Sequence, residues 1–136
     1  MKHFLLASTL VLTATQVGAK DTYPPLDLLL QTDTTVIGQP IVYPPGQAEI
    51  TVAIVTMQPG QATPKHKHEA PLIGYILEGE ITVDYGADGT RTYRKGDALV
   101  EALGSDHVGT NTGDGIARIL SVFAGAKGTQ NTVIED

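Results

Sequence analysis

The sequence contains no cysteine. No disulfide can therefore stabilise the fold, and no thiolate can serve as a metal ligand or a nucleophile. Basic residues are also few and scattered, since nine Lys and Arg stand against fifteen Asp and Glu and the formal net charge is −6. Without a basic cluster there is no electrostatic signature for nucleic acid or for an anionic membrane. We expect neither as a partner.

Beyond residue 20 the chain also lacks a sustained helical period of apolar residues. Short apolar stretches alternate with Pro and Gly turns instead, and the clearest runs from Ile73 to Tyr85 with a period of two. Its apolar odd positions, Tyr75 among them, predict one buried face, and Gly79 predicts a sharp bend. The stretch Ile50–Met57 is apolar at almost every position, which predicts a strand covered on both faces. Many short strands of this kind predict an all-β sandwich or barrel.

The first 19 residues have the pattern of a secretory signal peptide. Lys2 precedes an apolar stretch, and small residues end at Ala19, where we expect cleavage. The apolar part is short for a permanent span, which needs about 20 residues, although an uncleaved anchor is the alternative. We therefore expect an exported protein, periplasmic or secreted, with no membrane attachment after cleavage.

The remaining length supports one domain. We divide it into an N-terminal arm with edge strands at 20–49, a β-barrel at 50–125 and a C-terminal tail at 126–136. A loosely ordered arm is the alternative for the first part. The tail is either a last edge strand or a frayed end.

Two histidines, His66 and His68, are separated by one residue. On an extended strand both side chains project from the same face, about 6.6 Å apart, which is near enough for two imidazoles to converge on one cation. Ordinary surface histidines would show the same spacing. The pair alone therefore leaves both interpretations open.

Two longer motifs resemble those of the cupin family. The first is matched by Gly60, His66, His68 and Gly79. The second is matched by Gly96, Gly104, His107 and Asn111, with Ala102 where the family has proline. The resemblance implies a double-stranded β-helix, or jelly-roll barrel, in which His66, His68 and His107 hold one divalent transition metal ion. The only other histidine, His3, lies in the predicted signal peptide, so every histidine of the mature chain falls on a family ligand position.

The family's glutamate ligand is absent, because its position falls on Leu72. Glu69 alternates to the opposite face of the strand and is a poor replacement unless the chain turns there. The simplest site is therefore three histidines with solvent or substrate completing the shell, which suits Fe, Mn, Zn, Ni or Cu without choosing among them. Tyr75 is the candidate to orient a substrate or donate a proton, with a hydrogen-bonded core tyrosine as the alternative. We expect Glu101 to be solvated.

The resemblance implies a metal-dependent enzyme with dioxygenase-like chemistry on a small organic molecule, since three-histidine members without the glutamate include iron oxygenases. Two other functions stay open. One is a non-catalytic protein that binds a small ligand or metal outside the cytoplasm, and the other is a structural cupin without metal. No general base stands out, which weakens a hydrolytic function. We expect a homodimer, to which the apolar arm at Leu26–Leu30 would contribute.

Overall fold

The computed structural model describes residues 24–135. Its strands are β1 (Ala48–Met57), β2 (His66–Lys67), β3 (Leu72–Glu78), β4 (Glu80–Asp84), β5 (Thr90–Arg94), β6 (Ala98–Val100), β7 (Val108–Thr110), β8 (Ala117–Ala126) and β9 (Val133–Ile134). One 3₁₀ turn, Gly86–Asp88, joins β4 to β5. Within this part of the chain no helix has the length and apolar character needed to cross a bilayer. The signal peptide predicted over residues 1–19 lies outside the described residues.

The strands form antiparallel sheets ordered β1-β8-β3-β6, β5-β4-β7 and β2-β9. Side chains from the first two sheets meet in one apolar core, for example Ile76 of β3, Ile119 of β8 and Val83 of β4. Apart from the hairpin β4-β5, strands that follow one another in the chain lie in different sheets, so β3 and β4 are joined by a corner at Gly79. The architecture is the all-β jelly-roll barrel predicted from the sequence.

The corner at Gly79 reverses which residues face the core. In β3 the buried residues are the even ones, Leu72, Gly74 and Ile76, whereas in β4 they are the odd ones, Ile81 and Val83. The pairing of β3 with β8 shifts register just before the corner, so the period of two does not run through it. The prediction of one buried odd face from Ile73 to Tyr85 is therefore wrong for β3.

Only glycine fits this corner. Gly79 has φ +75°, and a Cβ there would lie 2.5 Å from the backbone oxygen of Ile116 and 2.9 Å from the Cα of Ala117. A side chain would meet main-chain atoms that cannot rotate away. The bend predicted at Gly79 is confirmed, and its tight approach to β8 explains the residue type.

Strand β1 lies at the edge of its sheet, beside β8 only. Ile50, Val52 and Ile54 on its outward face are exposed, and Val52 retains 63% of its accessible surface. The prediction of a strand covered on both faces is therefore wrong for the single chain. Residues of β8 and β3 that pair in register with these side chains lie on the same face of the sheet. Together they form one apolar outward surface.

The chain before β1 and the chain after β8 differ in how they pack. Residues 24–47 contribute an isolated bridge between Thr34 and Pro40 in place of the predicted edge strands, and the Val36 N–H donates to the Val100 carbonyl. The tail instead forms β9, which pairs with β2 and so lies beside His66. The tail therefore ends in an edge strand and not in a frayed end.

Candidate metal centre

The three predicted histidines are brought together by strand pairing. His66 and His107 lie directly opposite each other, the N–H of His66 donating to the His107 carbonyl at 3.1 Å and the N–H of His107 to the His66 carbonyl at 2.8 Å. His68 follows two residues later on the same face, and its carbonyl accepts from the Gly104 N–H at 2.7 Å. One nitrogen from each ring lies within 4.8 Å of the other two. Residues 39 positions apart in the chain (107 − 68) thus share one centre.

Each imidazole is oriented by a backbone carbonyl. The Nδ1 atoms of His66, His68 and His107 lie 2.8, 2.9 and 2.9 Å from the carbonyl oxygens of Pro64, Asn131 and Ser105. A carbonyl oxygen can only accept, so each Nδ1 carries a hydrogen, and in the neutral imidazole each Nε2 then keeps its lone pair. This outer shell of acceptors is typical of metal-binding histidines, because it holds both the tautomer and the ring orientation.

Burial keeps two of the rings neutral. It lowers the pKa of His66, and it lowers the pKa of His68 to about 4, although the hydrogen bond from each Nδ1 to its carbonyl acts in the opposite direction. The Phe123 ring packs edge-on against His68 with centroids 5.6 Å apart and excludes water from one side. A metal ion binds only the neutral imidazole, so burial favours the form of His66 and His68 that metal binding requires.

A cavity of about 260 Å³ opens beside the three rings. Its wall is mainly apolar and is built by inward residues of β1, β3, β4, β6 and β8, among them Met57, Ile76, Ile81, Leu99 and Ile119. No lysine or arginine in the described part of the chain lines it. Leu72, at the position of the family's glutamate, is part of this apolar wall.

Glu101 is a functional candidate that the sequence analysis missed. It was expected to be solvated, but it is only 7% exposed and lines the cavity. Its Oε1 accepts the Ala102 N–H at 2.8 Å, and its Oε2 lies 4.0 Å from Nε2 of His107. The signal was present in the sequence, because a period of two through Leu99 and Glu101 places both on the inward face.

Tyr75 does not face the cavity. It is half-buried on the outward face of β3, opposite Leu120 of β8, because the inward residues of β3 are the even ones. The predicted position of Tyr75 beside the metal centre is therefore wrong. The tyrosines near the histidines are Tyr85, whose ring centroid is 5.8 Å from that of His107, and Tyr93, which lines the cavity.

Buried Tyr85 and half-buried Tyr93 form a hydrogen-bonded pair. Their hydroxyl oxygens are 3.0 Å apart, and burial raises the pKa of both. The nearby negative charge of the Glu101 carboxylate raises the pKa of Tyr85 further, because it disfavours a second negative charge on the phenol. Both hydroxyls stay protonated at neutral pH and act as hydrogen-bond donors beside the site.

Comparison with known proteins identifies the family of this fold. The Cupin_2 family model, described as a cupin domain, matches residues 53–123, just over half of the chain. No curated protein sequence matches the chain significantly.

Several solved structures are similar over most of the barrel. An oxalate decarboxylase from Lactobacillus farciminis, solved with formate, is 27% identical with a TM-score of 0.54 over 65% of this chain and 27% of its own. The DMSP lyase DddQ from Ruegeria pomeroyi is 28% identical, with a TM-score of 0.54 over 62% of this chain and 42% of its own. An oxalate oxidase is 28% identical, with a TM-score of 0.52 over 62% and 45%. The chain matches less than half the length of each of them.

Proposed function

Because the chain belongs to the Cupin_2 family, we propose that it is a metal-dependent enzyme with dioxygenase-like chemistry on a small organic molecule. The observation that carries the proposal is the convergence of three imidazoles, each oriented through Nδ1, at the wall of a buried cavity. The similar structures named above are a decarboxylase, a lyase and an oxidase, which supports a catalytic over a purely structural role.

The donor set fits a divalent transition metal. His66, His68 and His107 offer three Nε2 lone pairs, and neutral imidazole suits Fe, Mn, Zn, Ni and Cu. When bound, such an ion supplies Lewis-acid or one-electron chemistry next to the substrate. The protein's part is to hold the three rings in one tautomer and to keep the surroundings apolar.

The lining of the cavity limits the substrate class. With no lysine or arginine in the described wall, a second anionic group on the substrate would find no positive partner away from the metal. The volume of about 260 Å³ accommodates a small molecule only. We therefore propose a small, mainly apolar substrate with one polar end that binds next to the histidines.

The alternative function is a non-catalytic protein that captures a small ligand or a metal ion. The apolar wall of the cavity favours it, because a pocket that excludes water also suits simple binding. The two functions differ in their products. An enzyme shows turnover that a chelator abolishes, whereas a binder shows only stabilisation by its ligand.

The test is elemental analysis of the purified protein and of His107→Ala, with Glu69→Ala as the matched control. We expect about one transition metal ion per chain in the wild type and in the control, because Glu69 is exposed and lies next to His68 without facing the centre. We expect His107→Ala to lose the metal and keep its β-sheet circular dichroism. Stoichiometric metal in His107→Ala, or no metal uptake by the wild type, would contradict the three-histidine centre. Oxygen uptake in the presence of candidate substrates then separates enzyme from binder.

We also propose that the protein is exported and acts outside the cytoplasm, which rests on the signal-peptide pattern of its first 19 residues. An intact mass that begins at Lys20 after expression in a secreting host supports this proposal. A mass that retains Met1 at the start of a cytoplasmic protein contradicts it.

We propose a homodimer through the outward face of the sheet β1-β8-β3-β6. Two rows of paired residues cross this face, Val52–Val122–Ile73 and Ile54–Leu120–Tyr75. Neither row contains a charge, so a second copy brings no like-charge repulsion, and a two-fold dimer needs only this one self-complementary surface. The exposed leucines at 26–30 add further apolar surface for the second copy to cover.

A further inference from the structure

Leu72 occupies the position of the family's glutamate ligand, and its side chain cannot bind a metal ion. We infer that Glu101 is a fourth ligand of the metal centre, so that the site offers three imidazoles and one carboxylate. The inference rests on the proposed metal-dependent function and goes beyond its three-histidine ligand set. It is carried by the position of Glu101, by the atoms that face its side chain and by the absence of a lysine or arginine partner in residues 24–135.

The first argument is the cost of burying this carboxylate. Glu101 is 7% exposed, and no lysine or arginine of residues 24–135 forms a salt bridge with it. The one ionisable partner within 4.0 Å is His107, which carries a charge only when its ring is protonated. The Ala102 N–H donates to Oε1 at 2.8 Å, the Tyr85 hydroxyl lies close to the carboxylate, and Glu101 lines the cavity. A buried carboxylate without a cationic partner destabilises the fold, and a bound cation offsets that cost. A metal ion at the histidines would supply that cation while the three rings stay neutral.

The second argument is the pair of atoms that face each other. Oε2 of Glu101 lies 4.0 Å from Nε2 of His107, and in the neutral ring this Nε2 presents a lone pair, since Nδ1 donates to the Ser105 carbonyl. Two acceptors at this distance form no hydrogen bond. Two ligand atoms that each lie about 2.1 Å from one ion are at most about 4.2 Å apart. The observed separation therefore suits two ligands of one metal.

The third argument is the support for the carboxylate. Tyr85 is buried beside Glu101, and its hydroxyl is in turn bonded to that of Tyr93 at 3.0 Å. Carboxylates that bind metals are themselves oriented by hydrogen-bond donors in the outer shell. The tyrosine pair is in place to orient Glu101, as the backbone carbonyls orient the three imidazoles.

A carboxylate changes which metals the site favours. Three imidazoles alone accept soft and borderline ions alike, whereas an added oxygen ligand favours Fe(II), Mn(II) and Zn(II) over Cu(I). Four protein ligands also leave two positions of an octahedral ion for substrate and a second small molecule. This arrangement is compatible with the small cavity at the histidines.

The test is a titration of the metal-free, full-length protein with CoCl₂, followed by visible absorption, for the wild type and for Glu101→Gln, Glu101→Asp and Glu69→Gln. We expect Glu101→Gln to lower the Co(II) affinity by about 100-fold and to change the intensity and shape of the d–d bands. The shorter side chain of Glu101→Asp keeps the charge but retreats from the centre, so we expect an intermediate loss of affinity. Glu69→Gln removes an exposed charge near His68 and should bind like the wild type.

Different failures lead to different conclusions. If His107→Ala loses Co(II) while Glu101→Gln binds it with unchanged or higher affinity, the fourth ligand is refuted and the three-histidine centre stands. An unchanged spectrum with weaker binding would place Glu101 in the outer shell and would also refute it as a ligand. No binding by the wild type would refute both proposals. Circular dichroism of each metal-free variant checks that it is folded.

Discussion

Replacement of Gly79 by alanine should destabilise the barrel far more than the same change at another left-handed glycine. Gly79 has φ +75°, which costs a residue with a Cβ about 1–2 kcal/mol. The added Cβ would also lie 2.5 Å from the Ile116 oxygen and 2.9 Å from the Ala117 Cα, at the start of β8. These are main-chain atoms, so the strand itself must move, at a further cost of about 1–3 kcal/mol. We expect a total loss of about 4 kcal/mol in the free energy of unfolding.

Gly96→Ala is the matched control. Gly96 also has a positive φ, +97°, but no atom lies within 4 Å of where its Cβ would be. Its substitution should therefore cost only the conformational part, about 1–2 kcal/mol. Urea denaturation of the metal-free proteins, followed by circular dichroism, measures both values. Equal losses in Gly79→Ala and Gly96→Ala would refute the close approach of the corner to β8 as the reason for this glycine.

Three further predictions concern the site and the assembly. The metal-free protein should lose stability as pH falls from 6.5 to 4, because unfolded His68 takes up a proton first while its folded pKa is about 4. Relative to His68→Gln the loss is about 3 kcal/mol, and parallel urea midpoints in the two proteins would contradict it. Deletion of the tail from Asn131 removes the carbonyl that orients His68, so metal binding in a Co(II) titration should weaken by about 10-fold or more. An unchanged Co(II) affinity would contradict this role of the tail. Val52→Lys should convert a dimer to a monomer in sedimentation at micromolar concentration, whereas exposed Thr90→Lys should not, and a monomeric wild type would contradict the proposed interface.

The histidine set was accessible from the sequence because its spacing is local and its motifs are specific. The period of a strand was enough to place His66 and His68 on one face, and the second motif was enough to identify His107. The structure adds that His66 and His107 are direct cross-strand neighbours. Whether they bind a metal remains the prediction that the titrations test.

Tyr75 and Glu101 are residues whose positions the sequence analysis predicted wrongly. The period of two continues through Gly79 in the sequence, but the register shift at that corner turns Tyr75 away from the cavity. Glu101 was judged by its charge, although its alternation with Leu99 pointed inward. In both cases the direction of a side chain depended on pairing with a strand elsewhere in the chain.

The sequence by itself determined the all-β class, the positions of the main turns and the three histidines, because strand period, turn chemistry and motif spacing are local properties. Only the tertiary structure decided which residues face the cavity on each side of the corner and which carboxylate reaches the histidines. It also decided that a carbonyl 63 residues away, at Asn131, orients His68. These features arise from contacts between distant segments, and no local pattern specifies which distant atoms will meet.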